Sequence, residues 1–143
     1  MDAEKRIANL NDHTPPFMQL LGGKVIAIDT EEQSCTFEFN PSLDLCHSID
    51  VVQGGFVTAM LDAAMSHAVF ALVDDVVGLS SYEVTTRYEA VTRGGAGPVY
   101  AKGRIRKATR KTAFLEAELS DSVGDVTASA QSIGKIIRSA ITS

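Results

Sequence analysis

Two cysteines, Cys35 and Cys46, are all that this 143-residue chain carries, and no CxxC spacing joins them. That excludes a disulfide framework and a cysteine-rich zinc site, both of which need a denser pattern. Basic residues are also scarce. Thirteen lysines and arginines stand against 18 acids, a formal net charge of -5, so no global attraction to nucleic acid is expected. The first eleven residues are charged and lack the apolar core of a secretory leader, which makes the cytoplasm the expected compartment. There is no internal repeat, low-complexity tract, linker, nicotinamide motif or flavin motif. Neither a metal nor a cofactor is expected.

What is present is an ordinary balance for a globular chain, 45% hydrophobic and 22% charged. The length suits one domain, expected over residues 1–143 with 1–14 as an N-terminal extension. The longest run nearly free of charge is GGFVTAMLDAAMSHAVFALV, residues 54–73, interrupted by Asp62. Its length would span a bilayer. A central Asp costs about 2.5–3.5 kcal/mol on insertion scales, however, and small or polar residues dilute the rest. The run reads as a buried helix of a soluble protein.

Around that helix the pattern predicts short elements. Residues 2–10 suit a helix, broken by the prolines at 15 and 16. Residues 17–21 suit one more helical turn, stopped by Gly22-Gly23. Strands are expected over 24–29 and 34–40, the second alternating Cys35, Phe37 and Phe39 with Thr36 and Glu38. Residues 41–50 read as a loop. Beyond the helix come four strands, over 80–90, 99–106, 112–120 and 126–137. In the first of these, Tyr82, Val84, Thr86 and Tyr88 fall on one face, with Ser81, Glu83, Thr85 and Arg87 on the other. With no crossover helix between the later strands, their pairing should be antiparallel. The class is α+β. The helix is apolar around most of its girth, so a sheet must curl about it.

Asp62 is the only carboxylate in residues 54–73. A buried acid is paired, protonated or functional, and a bond to Thr58 would satisfy the bland reading. Gln53-Gly54-Gly55 opens the helix. The first turn of a helix carries N–H groups with no internal partner, at the positive end of the dipole, which suits an oxygen developing negative charge. Thr58 and Asp62 are spaced i, i+4 on a face that runs back towards Gly54, so a polarising donor and a carboxylate are expected along one groove. A tight turn into the helix is the bland reading of the glycine pair.

The stretch QGGFVTAMLD, Gln53 to Asp62, resembles the HGG-x5-LxD-like signature of hot-dog fold acyl-CoA thioesterases of the PaaI, phenylacetyl-CoA thioesterase-like, type. The likeness extends over roughly residues 15–138. It implies a curved antiparallel sheet of about six strands around one long helix, and sites at the interface of a homodimer or a dimer-of-dimers homotetramer. Carried over by position, it makes Asp62 the catalytic acid and Gly54 the donor to the thioester carbonyl. His47 falls where relatives often place Asn or Gln near the nucleophilic water, and Ser81 at a polar position that a partner subunit contributes in some relatives. Gln53 replaces the usual His.

The resemblance thus implies an acyl-CoA thioesterase, with Gln53, Gly55 and Thr58 beside the substrate. In the basic group Lys102, Arg104, Arg106, Lys107, Arg110 and Lys111, most members read as a solvated sheet face. Arg106, Arg110 and Lys111 are the candidates for the phosphates of CoA. Acyl-CoA and a second copy of the chain are the expected partners, nucleic acid and membrane not. Two rival readings remain: a non-catalytic acyl-CoA binding module, and a hot-dog enoyl-thioester hydratase or dehydratase. The second is weakened because no His lies at i+3 or i+4 from Asp62.

Overall fold

Asp2 caps the first helix, α1 (Ala3–Asp12), its carboxylate accepting from the Lys5 N–H at 2.8 Å. The computed structural model describes residues 2–139; Met1 and residues 140–143 of the expected domain lie outside them. A second helix, α2 (Phe17–Leu21), stops at Gly22, whose φ of 65° is left-handed. A Cβ there would meet the Asn40 carbonyl oxygen at 2.6 Å, so the turn needs glycine. Strands β1 (Gly23–Asp29) and β2 (Ser34–Phe39) then form an antiparallel hairpin. Its turn is held by Asp29 Oδ1, which accepts from the N–H groups of Glu31 and Glu32.

The expected loop over 41–50 contains more order than its sequence suggests. A short 3-10 turn, Leu43–Leu45, leads into a two-stranded hairpin of β3 (Cys46–His47) and β4 (Val51–Val52). Helix α3 (Gly54–Leu72) follows directly. The remaining strands are β5 (Val76–Tyr88), β6 (Val99–Ala108), β7 (Thr112–Ser120) and β8 (Val126–Arg138). Together with β1 and β2 they make one six-stranded antiparallel sheet in the order β1-β2-β6-β7-β8-β5. The α+β class and the antiparallel pairing expected from the sequence are both observed.

The sheet curls around α3. By length and composition α3 would cross a membrane, but here Met60, Leu61, Ala64, Met65, Ala68 and Val69 are fully buried against the strands. Phe37 and Phe39 stack at 5.2 Å beneath them, and Phe37 meets His67 edge-on at 4.9 Å. At Gly103 the helix lies directly on the strand: a Cβ there would sit 2.3 Å from the Ala64 carbonyl. Bulges at Ile26, Tyr82 and Arg106 add the curvature. One stripe of α3 remains only partly covered, through Ala59, Asp62, Ser66 and Phe70.

The two edges of the sheet differ. Along β1, the Asn11 amide acts as a substitute strand, with Nδ2 donating to Val25 O at 3.0 Å and Oδ1 accepting from Val25 N at 2.8 Å. Beyond β5, among the described residues, no strand follows. Strand β5 runs antiparallel to its neighbour β8 and carries exposed residues along much of its length.

Candidate active site

Helix α3 begins with its own cap. Gln53 keeps an extended backbone, φ -63° and ψ 137°, and its Oε1 accepts from the Gly55 N–H at 2.7 Å. The N–H groups of Phe56 and Val57 both reach the Gln53 carbonyl, at 3.0 and 3.3 Å. Of the four donors in this first turn, only the Gly54 N–H has no acceptor among the described residues. It is therefore the one amide available to an outside oxygen. Gln53 serves here as a helix cap.

Two turns on, Asp62 lies half-buried at the seam between α3 and β5. Ser81 Oγ donates to its Oδ1 at 3.3 Å. Burial raises the Asp62 carboxyl above the ordinary carboxylate range, and the Ser81 bond partly offsets that rise. Such an acid, lifted by desolvation and still within reach of solvent, is suited to proton transfer.

Ser81 reaches Asp62 through a break in the alternation read from the sequence. In the register with β8, Ser81 opposes Gly134 and Glu83 opposes Ile133, leaving Tyr82 as an extra residue. An inserted residue reverses the facing of everything on one side of it. Ser81 thus joins Thr86 and Tyr88 on the helix side, where strict alternation had placed it on the opposite face. It sits beside Asp62 of its own chain.

The structure brings Thr58 to this seam but commits its hydroxyl to the strand. Thr58 Oγ1 lies 3.0 Å from Thr86 Oγ1 and 2.7 Å from Tyr88 Oη, and the Tyr88 hydroxyl donates to the Gly54 carbonyl at 2.8 Å. Tyr88 is a site residue that the sequence reading missed. Its alternation with Thr86 gave its face, but its partner lies 34 residues away, and no local signal marks that contact.

Other expected residues are more distant. His47 is exposed on the β3–β4 hairpin that leads into α3, its Nδ1 3.0 Å from Ser48 Oγ. It bonds neither Gly54 nor Asp62 among the described residues. His67 points into the core: Nδ1 lies 2.8 Å from the Ala63 carbonyl, and the ring is held between Phe37 and Phe70. His13 closes α1, with Nδ1 2.8 Å from Asn9 O.

The basic group splits. Lys102 pairs with Glu32, and Arg104 and Arg106 share Glu116. Lys102 and Arg104 line a broad polar cleft on the outer face of the sheet, away from Asp62. Arg110 and Lys111 occupy the β6–β7 turn, where the Arg110 carbonyl accepts from Arg138 Nε and Arg138 Nη1 also reaches Asp74 O. That turn lies at the end of α3 opposite Gly54. Within one chain, Arg106, Arg110 and Lys111 are not brought to the Asp62 seam. Among the described residues, no group of three His, Cys, Asp or Glu side chains is placed to share a metal ion.

In sequence, the chain matches no protein-family model and no curated protein. Solved structures match it over most of its length. A phenylacetic acid degradation-related protein of Ralstonia eutropha is 23% identical, with a TM-score of 0.80 over 94% of this chain and 99% of that one. The Escherichia coli PaaI protein, from the phenylacetic acid degradation operon, is 16% identical with a TM-score of 0.78, over 94% of this chain and 95% of that one. A thioesterase of Haemophilus influenzae is 15% identical with a TM-score of 0.80, over 92% and 90%. The fold is therefore the hot-dog fold, as the Gln53 to Asp62 stretch implied. Structural neighbours include proteins described as belonging to the thioesterase superfamily or family, alongside PaaI.

Proposed function

We propose that the chain is an acyl-CoA thioesterase, releasing a free carboxylic acid and CoA, and that two copies of it build each site. The observation that carries the reading is the pairing of a single open amide, Gly54 N–H, with a single half-buried acid of raised pKa, Asp62, on one side of α3.

The two groups cannot serve one carbonyl within one chain. Eight residues of α-helix separate them by about 12 Å along the axis, whereas a reacting carbon needs both within a few ångströms. A two-fold axis near Thr58 removes the difficulty. Two antiparallel copies of α3 would then set Gly54 of one chain beside the partner's Asp62. The unpaired edge of β5 and the partly covered stripe of α3 through Ala59, Asp62 and Ser66 favour such a pairing, since the opposite edge is already closed by Asn11. The same antiparallel arrangement turns the partner's basic β6–β7 turn towards the Gly54 end. Arg106, Arg110 and Lys111 are the residues we assign to the phosphates of CoA.

In the reaction, the Gly54 N–H donates to the thioester oxygen as it gains charge. Asp62 takes a proton from a water that attacks the carbonyl carbon, or attacks that carbon itself to form an anhydride that water then opens. In both routes the C–S bond breaks: in the first the proton taken up by Asp62 passes to the departing sulfur, and in the second the sulfur leaves as thiolate and takes its proton from water. We assign His47 to the attacking water; the support for this is that its hairpin leads into the Gly54 end of α3.

Thiol release from a panel of CoA thioesters, with light scattering alongside, tests the proposal. The wild type should turn over at least one ester as a dimer or a pair of dimers, and Asp62→Asn should release no thiol. A monomeric wild type, or full turnover by Asp62→Asn, would overturn it.

A further inference from the structure

Two glycines stand in the first turn of α3, Gly54 and Gly55. After proline, glycine is the residue least able to hold a helical backbone, so the turn that carries the open amide is also the turn that most needs outside support. It receives that support on three sides. Gln53 holds the Gly55 N–H from within. The Tyr88 hydroxyl donates to the Gly54 carbonyl at 2.8 Å. The Tyr88 ring closes over the Gly54 Cα, where a Cβ would meet both Cζ and Oη at 3.1 Å.

The hydroxyl is anchored in turn. The Gly54 carbonyl only accepts, and a phenol has one proton. Once Tyr88 donates to Gly54, its 2.7 Å contact with Thr58 Oγ1 has only the Thr58 proton to use, and Thr58 divides that one proton between Tyr88 Oη and Thr86 Oγ1. Thr58 Oγ1 is also linked to Thr86 Oγ1 at 3.0 Å. Tyr88 is 54% exposed, and a surface tyrosine ordinarily turns its hydroxyl to water. This one spends it on a backbone carbonyl and a threonine. The Tyr82 bulge puts Tyr88 and Ser81 on the same side of β5. One strand therefore carries both the residue that holds the amide-bearing turn and the residue that holds the acid.

We infer that Tyr88 is a positioning residue for the hydrolysis proposed above. It fixes the Gly54 peptide so that its N–H stays aimed at the oxygen that becomes negative, and Thr58 holds the phenol in place. The inference rests on the thioesterase reading for its consequence, but the clamp itself is readable without turnover.

The test compares the wild type with Tyr88→Phe, Thr58→Val and the double variant. It reads thiol release from the CoA thioester panel and the backbone amide resonances of Gly54 and Gly55 in 1H–15N spectra. Tyr88→Phe keeps the ring against Gly54 and removes only the hydroxyl. Each single variant should shift both resonances and lower kcat about tenfold, with KM changed by less than about twofold, because misalignment of a donor acts on the transition state. The double variant should fall no further than the worse single one, since both break one linkage. Unshifted resonances in both single variants would overturn the clamp, whatever kcat does. Shifted resonances with kcat unchanged would overturn its role in positioning. Shifted resonances in a protein whose wild type releases no thiol would retain the clamp and sink the hydrolysis.

Discussion

Ser81 Oγ donates to Asp62 Oδ1 across the seam between β5 and α3, and it can do so because β5 gains a residue at Tyr82. The bulge thereby adjusts the acidity of the one carboxyl on this part of the helix.

The pH dependence of turnover follows from that bond. Burial raises the Asp62 carboxyl and the Ser81 hydrogen bond lowers it. As base or nucleophile Asp62 works ionised, so kcat/KM should fall as the pH drops through a value above the ordinary aspartate one of about 3.9. Ser81→Ala removes the lowering contact. The acid limb of its pH–rate profile should move to higher pH than in the wild type. A limb that stays in place or moves down would contradict the role given to Ser81.

Stability should depend on the same carboxyl with the opposite sign. A raised value means that the folded chain holds this proton more tightly than the unfolded chain does. The contribution is complete below the unfolded value, about pH 3.9, and is lost as the pH rises through the folded one. At pH 8 the ionised Asp62 is therefore a cost. Asp62→Asn should melt above the wild type at pH 8, with the difference narrowing towards pH 4. Equal melting at both ends of that range would refute the desolvation account.

A shared site can be tested by mixing two dead proteins. Gly54→Pro deletes the N–H in question while keeping a backbone suited to the start of a helix. Proline is favoured at the first helical position, and the Gln53 backbone, at ψ 137°, already has the conformation required before a proline. The ring must displace Tyr88 by a few tenths of an ångström, since a Cβ at 54 already comes within 3.1 Å of it. Gly54→Pro alone should lose about a hundredfold or more in kcat. Unfolded and refolded together with Asp62→Asn, it should regain about a quarter of wild-type activity, because half the dimers then contain one intact site of two. No recovery from verified mixed dimers would place both groups in one chain.

Gly103 sets how closely the sheet approaches its helix. A Cβ there would sit 2.3 Å from the Ala64 carbonyl carbon and oxygen and 2.5 Å from the Met65 nitrogen. These are backbone atoms in the middle of α3, which cannot swing aside as a side chain can. Gly103→Ala should cost about 3 kcal/mol or more in chemical denaturation, at the upper end of ordinary overpacking. A loss below about 0.5 kcal/mol, within the range of an ordinary surface change, would mean that helix and strand can part without penalty.

Much of the architecture was legible because it is local. The alternation of Cys35, Phe37 and Phe39 with Thr36 and Glu38 gave β2, and all three are fully buried. Gly22 marked the end of α2 through its left-handed φ. The run 54–73, free of charge but for Asp62, became α3 with nearly the expected bounds. Less was legible at the site. The alternation over 80–90 assigned Ser81 to the wrong face, because a bulge depends on how β5 registers with β8, 53 residues away at the Ser81–Gly134 pair. The β3–β4 hairpin was invisible within an apparently irregular loop, since two-residue strands carry no period to read.

Asp62 stands alone among apolar neighbours, and glycines lead the helix that bears it. Those two facts are written in the chain itself, because residue type and spacing along a single helix decide them. Whether the acid meets a hydroxyl, which of four amides stays open and what holds the glycine turn are matters of contact between segments far apart in sequence. Those contacts arise from hydrogen-bond register and from the curl of the sheet, which form only when distant strands pair. The identity of Tyr88 as Gly54's partner therefore became visible only in the folded chain.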